Sequence, residues 1–481
     1  MIDRFHWSAV SALVSSSIFI IWLATGVRQP MGILYFLLEL HLYVLLLLFV
    51  INHWKRRYVL SGGPYSLRAI VDIFIPSKTE PADMLERTLY SASLIDYPNL
   101  RLYLLDDGAR EWVKELAKKY GYTYLVRPNH LTKPYKAATL NYGLAHSWGN
   151  YILVLDADHT VKPTMLDDLL GHFKDPKVAL VATRQGFAID KNDFNHDHLF
   201  YEYMQPGKNA DGAAMSCGSG VIYRRSALTK IGGFSEWNVV EDLHTSYLLN
   251  SHGFQAVYVN QPYTQGVAPQ DLKVIYKQRG TWALDSLRLL FWNMPLLNRK
   301  LSFLQRLHYL EMGYIYLVGG FVLPLLFFLN FYSLFSNTPL VQAGFWYVLL
   351  KIPSHYLTVR LYSELGRGSA ESRMWAGLYP VYFLAIFRAL IHVKPRYQVT
   401  EKGVEAQVRR ITLVIPQAFT VALGILAILY HLSRYSFSSL FTVNVFWFSV
   451  MVYWLWPVLG KALAISPSLP IKKYGKNYSD R

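Results

Sequence analysis

Long apolar stretches near the start of the chain most constrain what it can fold into. Residues 8–26 and 31–51 are each close to the ~20 apolar residues that a helix needs to cross a bilayer. Neither reads as a cleaved signal peptide, because the first lacks a clear small-residue cleavage site and the second follows at once. Hydrophobic residues make up 52% of the chain, which excludes a plain soluble enzyme. The sequence therefore predicts a membrane protein.

Residues 68–268 have a different pattern, in which short apolar runs alternate with polar helical stretches. This alternation is typical of an α/β domain, and about 200 residues suffice for one domain with a full core. The predicted strands are 69–76, 100–107, 122–126, 151–158 and 177–183, and the predicted helices are 84–95, 110–120 and 135–147.

After this domain the chain returns to the membrane, with predicted spans at 313–335, 339–363, 411–432 and 439–460. Residues 374–393 are long enough to span but carry Pro380, Arg388 and His392. The basic stretches 53–58, 394–410 and 472–476 share one side of the membrane only if 374–393 lies in the interface. We therefore expect six spans, one interfacial helix and a cytoplasmic α/β domain.

This topology divides the chain into six segments. They are 1–67 with two spans, 68–268 with the α/β domain, 269–312 with interfacial helices, 313–363 with two spans, 364–410 with the interfacial helix and a loop, and 411–481 with two spans and a short tail.

The formal net charge of +16 has two explanations, nucleic-acid binding or a cytoplasmic membrane face beside anionic lipids. The second is favoured, because the excess of Lys and Arg lies largely next to the spans, and we expect no nucleic-acid partner. The single cysteine, Cys217, excludes an intramolecular disulfide and a Cys-rich zinc site.

Carboxylates follow the predicted strands and begin a probable helix. One D-x-D is common by chance, but here six carboxylates are expected at one sheet edge: Asp106, Asp107, Asp156, Asp158, Glu241 and Asp242. So many negative charges repel one another unless cations or hydrogen-bond donors are present. Mg²⁺ and Mn²⁺ prefer carboxylate oxygens and commonly bridge to phosphate. The edge therefore predicts a metal and a nucleotide diphosphate.

Several short motifs resemble those of the processive family 2 glycosyltransferases and occur in the same order. They are VDIFIPSKTEP (71–81), DDG, KPYKAATLNYGL, DADH, CGSG (217–220), VED (240–242) and QRGTW (278–282). The chain is similar to bacterial cellulose synthase catalytic subunits over about residues 30–460, and more distantly to hyaluronan and chitin synthases. The segment YQVTEKG (397–403) looks like the cellulose synthase gating loop.

The resemblance implies a GT-A type α/β domain inserted between transmembrane helices. It implies a UDP-sugar donor, a growing polysaccharide acceptor, the lipid bilayer and accessory secretion subunits as partners, and a place in the inner (plasma) membrane. Asp156 and Asp158, with His159, would hold Mg²⁺ or Mn²⁺. Asp242 would be the general base, with Glu241 beside it in the catalytic group. The alternative for Asp242 is a helix N-cap.

The same resemblance assigns nucleotide-binding residues. Asp107 would contact the nucleoside, with Glu80 near the base, and Lys136 would meet the diphosphate. The alternative for Lys136 is a solvated surface charge. Gln278 and Arg279 would contact the nucleotide.

The acceptor end of the growing chain would meet Cys217 and Gly218, with Trp282 stacking on a sugar face. The alternative for Cys217 is a small buried hydrophobe. Thr281 stands where the family has an arginine, and SKTE replaces the family's Thr-Tyr-Asn-Glu. These departures indicate a divergent product. About 20 residues follow the last span, so we expect no cyclic-dinucleotide-binding barrel there.

The sequence thus predicts a processive inverting hexosyltransferase that polymerises a UDP-sugar, UDP-glucose into a cellulose-like β-glucan, and exports the product. One alternative is a non-processive enzyme that acts on a lipid carrier. Another is a synthase of a curdlan-, hyaluronan- or alginate-like polymer. A transporter or scaffold with an inactive transferase domain is disfavoured, because the expected carboxylates are all present.

Overall fold

Two apolar helices open the chain. The structure is a computed structural model that describes residues 4–64, 69–128, 136–189, 193, 195, 197–269, 271–341, 344–365, 370–393 and 410–463. Helix α1 is Arg4–Gly26 and α2 is Pro30–His53, at the positions of the first two predicted spans. Pro30 suits the first turn of α2, where its missing N–H has no intrahelical partner to lose.

The α/β domain contains eight strands and seven α-helices in its described part. The strands are β1 Val71–Ser77, β2 Leu100–Asp106, β3 Thr123–Leu125, β4 Tyr151–Val154, β5 Thr160–Val161, β6 Val178–Ala188, β7 Val221–Arg224 and β8 Gln255–Val267. The helices are α3 Ala82–Ser93, α4 Glu111–Lys119, α5 Lys136–Ala145, α6 Met165–Leu169, α7 Gln205–Ala210, α8 Arg225–Lys230 and α9 Glu241–Ser251, with a 3₁₀ turn at Leu170–Lys174 and a π-helical turn at Leu199–Met204. Each predicted strand overlaps an observed one, whereas β5, β7 and β8 were not predicted.

The eight strands form one mixed sheet in the order β3-β2-β1-β4-β7-β6-β8-β5. Strand β1 pairs in parallel with β2 and β4, and β7 is antiparallel to β4 and β6. Apolar clusters cover both faces of the sheet, which explains why the central strands are nearly continuous apolar runs. Ser77 pairs with Asp106, and Phe74 pairs with Val154. The residues after β1, β2 and β4 therefore emerge at the same edge.

The described residues that follow β8 are mostly helical. They comprise α10 Leu272–Arg288, a π-helical turn Leu289–Asn293, a 3₁₀ turn Pro295–Leu297, α11 Phe303–Leu317, a π-helical turn Val318–Val322, α12 Leu323–Ser336, α13 Gly344–Leu365, α14 Ala370–Gly377, α15 Tyr379–Leu390, a 3₁₀ turn Ile411–Val414, α16 Ile415–Arg434 and α17 Ser439–Ala462.

Five helices in the described ranges are long and apolar enough to cross a membrane. They are Arg4–Gly26, Pro30–His53, Phe303–Ser336, Ile411–Arg434 and Ser439–Ala462. The predicted span 339–363 coincides with α13, a helix of 22 residues that packs against α1 but carries Lys351, Arg360 and Glu364. That span stays a prediction. The gating-like loop and the basic tail lie outside the described residues.

Two further segments can be compared with the sequence prediction, and only the first differs from it. A continuous helical run, Phe303–Ser336, replaces the expected change from interfacial helix to span at 312. It begins at residue 303 because Ser302 and Gln305 form a capping box, in which each side chain accepts from the other's backbone N–H. In the stretch 374–393, α15 has only 12 residues, about 18 Å at 1.5 Å per residue, too short for ~30 Å of hydrocarbon. This length supports the interfacial interpretation.

Candidate active site

Two aspartates and a histidine follow β4 and lie together. The Nδ1 atom of His159 is 3.5 Å from Asp158 Oδ1 and 3.9 Å from Asp156 Oδ2. One ligand atom from each of the three residues lies within 4.8 Å of the others. The backbone N–H of Asp156 donates to Ser219 Oγ at 2.9 Å, which holds the turn in place.

The His159 ring fits a metal ligand. It is 3% exposed, and within the described residues neither ring nitrogen has a hydrogen-bond partner. Gly266 makes room for the ring, because a Cβ at that position would collide with His159 Nε2. Burying an imidazole without partners is unfavourable. Two carboxylates and one imidazole suit Mg²⁺ or Mn²⁺, so the residues present fit the expected ion.

Lys136 bridges the carboxylates that meet at this edge. Its Nζ atom lies 2.7 Å from Asp156 Oδ1 and 3.2 Å from Glu241 Oε1, and it donates to the Gly218 carbonyl at 2.9 Å. Burial lowers the pKa of Lys136, but the charges of Asp156 and Glu241 outweigh burial and raise the pKa well above its usual value. The lysine therefore stays charged. With 14% of its side chain exposed, the alternative of a solvated surface charge is wrong.

Asp242 is the second residue of α9 and is buried beside Glu241. The N-cap position belongs to Val240, so the alternative that Asp242 is the N-cap is wrong. Its Oδ1 accepts from Leu243 N at 2.6 Å. Burial, and then the charge of Glu241, raise the pKa of Asp242 well above its usual value. In its ionised form, a carboxylate with a raised pKa is a stronger proton acceptor.

The CGSG segment approaches these carboxylates through glycines. Gly218 has φ +85°, and a Cβ at that position would lie 3.2 Å from Asp242 Oδ2, so a larger residue would be strained and crowded. Gln185 Nε2 donates to the Cys217 carbonyl at 2.7 Å, and Gln205 Nε2 donates to the Cys217 sulfur at 3.1 Å. Burial raises the pKa of the Cys217 thiol. The thiol is therefore neutral and held in place.

The predicted nucleoside contacts line the same cavity as the carboxylates. Asp107 accepts two hydrogen bonds from Arg127, at 2.9 and 2.6 Å, and one from Thr139 at 2.7 Å. Glu80 Oε2 accepts from Ser77 Oγ at 2.9 Å and from the next two backbone N–H groups. Both carboxylates are therefore held rigidly at the cavity wall.

Helix α10 presents the QRGTW motif to the cavity. Arg279 is held by Asp197 at 2.8 Å and Asn195 at 2.8 Å, and its guanidinium lies 4.6 Å from the centroid of the Trp282 ring. Thr281 Oγ1 donates within the helix, to the Lys277 carbonyl. The contacts of Arg279 thus orient Trp282.

One cavity of about 1900 Å³ brings every predicted site residue together: Glu80, Asp107, Lys136, Asp156, Asp158, His159, Cys217, Gly218, Glu241, Asp242, Gln278, Arg279 and Trp282. The cavity continues between the long apolar helices. Its walls there include aromatic side chains and the Glu39–Lys351 ion pair, whose Oε1 and Nζ atoms are 2.5 Å apart. The same space therefore joins the carboxylate edge to the helices expected in the bilayer.

Asp106 does not belong to this site, contrary to its grouping with the other carboxylates. Its two oxygens accept from Gly108 N at 3.1 Å, from Arg110 N and Nη2 at 2.8 Å each, and from Tyr124 OH at 2.9 Å. These bonds close the loop after β2. The DDG motif thus pairs one structural aspartate with one cavity aspartate.

Asp285 lines the same cavity and was missed by the sequence analysis. Its Oδ2 accepts from Val240 N at 2.7 Å, immediately before Glu241 and Asp242. Trp282 and Asp285 are three residues apart on α10, so helical periodicity places them on one face. That spacing is the signal from which Asp285 could have been found.

Comparison with known proteins identifies the domain. Residues 69–284 match "Glycosyltransferase like family 2", and residues 229–362 match "Cellulose synthase". The mannosyltransferase PcManGT of Pyrobaculum calidifontis, solved with GDP-Man and Mn²⁺, superposes with a TM-score of 0.57 at 17% identity, over 76% of this chain and 100% of that one. The predicted class, a GT-A glycosyltransferase domain flanked by long apolar helices, is confirmed.

The cellulose synthase resemblance is also confirmed. The chain is 29% identical over 431 residues to "Cellulose synthase 1 catalytic subunit [UDP-forming]" of Komagataeibacter xylinus, covering 82% of this chain and 57% of that protein. It is 31% identical over 354 residues to the corresponding subunit of Pseudomonas fluorescens (strain SBW25), covering 69% and 47%. The chain is thus similar to cellulose synthase catalytic subunits over most of its residues and spans about half the length of these relatives.

The contact between Asp285 and Val240 gives a pH-dependent prediction. Burial raises the pKa of Asp285 to about 7, above the ~3.9 of an unfolded aspartate. The stability contributed by its protonated form is fully present below about pH 4 and is lost as the pH rises through about 7. Asp285→Asn keeps an oxygen acceptor for Val240 and does not titrate. We expect its thermal stability in detergent, relative to the wild type, to increase from pH 5 to pH 8.

The control is Asp285→Ala, which removes the acceptor and should be less stable than Asp285→Asn at both pH values. A stability difference between Asp285→Asn and the wild type that is equal at pH 5 and pH 8 would contradict the prediction.

Proposed function

We propose that this chain is a processive, inverting glycosyltransferase. It polymerises sugar from a UDP-sugar and passes the polysaccharide through its own membrane helices. The observation that carries this proposal is the single cavity of about 1900 Å³ that connects the carboxylate edge with the apolar helices. A polymer that leaves the site through this space remains bound between additions.

The site supplies the groups that glycosyl transfer needs. The donor's leaving diphosphate develops negative charge, which Lys136 meets as a charged donor. Asp156, Asp158 and His159 would hold a divalent ion, which when bound neutralises further charge on that diphosphate. Asp242 takes the proton of the acceptor hydroxyl. A single base without a carboxylate nucleophile favours inversion at the anomeric carbon, by analogy with other glycosyl-transfer sites.

The donor is UDP-glucose and the product a β-glucan in this proposal. The relatives named "UDP-forming" cellulose synthase subunits support it. The protein acts in the inner (plasma) membrane with its catalytic domain in the cytoplasm, and accessory secretion subunits take up the product. Gln278 and Arg279 contact the nucleotide, and Cys217, Gly218 and Trp282 contact the acceptor.

The alternative is a non-processive enzyme that acts on a lipid carrier. A short open site would favour it. The cavity instead extends from the carboxylates to Lys351 on α13 and Trp447 on α17. The aromatic and hydrogen-bonding residues along this path suit a sugar chain better than an acyl tail.

A donor panel tests the proposal. Purified protein in Mg²⁺ or Mn²⁺ is incubated separately with UDP-glucose, UDP-N-acetylglucosamine and UDP-glucuronate, and the product's length and linkage are measured. We expect release of UDP from UDP-glucose and a long β-linked polymer. Excess EDTA and Asp158→Asn should each abolish it, because the diphosphate then lacks its divalent ion. Single-sugar products would support the lipid-carrier alternative, and full turnover in EDTA would contradict the metal site.

Asp242→Asn should remove transfer while leaving donor binding nearly intact. A general base acts on the acceptor hydroxyl and needs no contact with the donor, so its loss affects turnover. The expected decrease in rate is roughly 100- to 10,000-fold, with UDP affinity measured on the same preparation. The matched control is Glu111→Gln, an exposed acidic residue in the first turn of α4, which should not change the rate. Near-normal turnover of Asp242→Asn would reject it as the base.

A further inference from the structure

A second cluster of metal-ligating side chains lies outside the active site, where α2 meets α11. His53 is the last residue of α2, and His308 and Glu311 belong to α11. One ligand atom from each lies within 4.8 Å of the others. The three residues are 0–1% exposed. No step of the proposed transfer reaction uses them.

The outer hydrogen bonds of both histidines determine which ring nitrogen carries a lone pair. His53 Nδ1 donates to the Phe49 carbonyl at 2.6 Å, and His308 Nε2 donates to Asp211 Oδ2 at 2.9 Å. His53 Nε2 and His308 Nδ1 are left as acceptors beside Glu311. A histidine that ligates a metal typically has its other nitrogen bonded to a carbonyl or carboxylate in this way.

The inner atoms of the cluster lack hydrogen-bond partners. Among the described residues, none donates to His53 Nε2, His308 Nδ1 or Asn52 Oδ1. The Asn52 amide donates to Glu311 Oε2 at 2.8 Å, so its unpartnered oxygen lies beside the same carboxylate. Buried acceptors without donors are rare and need an explanation. Three of them around one carboxylate form a group of atoms suited to a cation.

We propose that His53, His308 and Glu311 bind a divalent transition metal of the zinc class. Two imidazole nitrogens and one carboxylate oxygen are a common zinc donor set, with a fourth position that a water can complete. The donor set is richer in nitrogen than the Asp156, Asp158 and His159 site, so the two sites prefer different ions. The bound ion would tie the end of α2 to α11 and, through Asp211, to the catalytic domain.

The competing explanation is that the Lys208 ammonium supplies the positive charge beside the cluster. This ammonium donates to the His308 carbonyl at 3.3 Å, so its charge lies near the cluster. If Lys208 alone serves as the cation, the protein binds no metal here. Metal content therefore separates the two accounts.

The test measures zinc in full-length protein purified in detergent without chelator, in an Asp158→Asn background that weakens the active-site metal site. We expect about one zinc ion per chain. A second substitution in this background, either His53→Ala or His308→Ala, should remove the bound zinc. The matched control is His431→Ala: this histidine is also fully buried, with Nδ1 bonded to a carbonyl and Nε2 unpartnered in the described structure, but it belongs to neither metal-ligating group. It should leave the zinc content unchanged.

Replacing a buried histidine also changes packing. A second measurement therefore uses protein in which His53, His308 and Glu311 are unchanged. Co²⁺ added to the chelator-treated Asp158→Asn protein should produce the strong visible absorption of a four-coordinate site, and zinc should displace it. Absence of bound zinc and of this absorption would overturn the proposal. So would zinc content that is equal in the folded His53 and His308 variants and their parent.

Discussion

The site depends on the ion pairs that the Lys136 ammonium forms with Asp156 and Glu241. The sheet places Asp156 after β4, and the start of α9 places Glu241 opposite it, so two carboxylates face each other. Lys136 lies 2.7 and 3.2 Å from them and compensates their repulsion in a buried setting where charges interact strongly. It is also the first residue of α5. The same cation is the one proposed to contact the donor's diphosphate.

Helix α10 links this site to the membrane. One face of the helix carries Trp282 and Asp285, and Asp285 holds the backbone just before Glu241. The helix also packs on α15 and on α11, and α11 is the first part of the long apolar run Phe303–Ser336. A shift of α10 would therefore move both the tryptophan that is proposed to contact the acceptor and the start of α9, which carries the proposed base.

Motif order and apolar patterning predicted most of the fold and named thirteen residues that line the cavity, but not Asp285. Strand ends could be placed because buried parallel strands are continuous apolar runs that stop at carboxylates. The role of each residue within a motif could not be predicted from the motif or from apolar patterning. Asp106 and Asp107 are neighbours, yet one closes a loop and the other faces the cavity. Their difference arises from partners such as Tyr124 and Arg127, which only the folded chain brings close.

Long-range contacts explain the remaining differences. Arg279 is paired with Asp197, 82 residues earlier in the chain, and no local pattern predicts such a pair. Strand β7 has four residues and β8 contains Pro262, so neither shows a clear strand signal, and pairing with β6 determines both. The charged residues of α13 similarly weaken its apolar signal, although α13 packs against α1.

The most direct test of the account asks on which side of the membrane the polymer appears. Proteoliposomes containing the purified protein receive radiolabelled UDP-sugar on the outside only, so that only molecules with an external catalytic domain react. A glycoside hydrolase is then added outside, before or after detergent. The account predicts a labelled polymer that survives the hydrolase until detergent opens the vesicles. Complete digestion of the polymer in intact vesicles would contradict it.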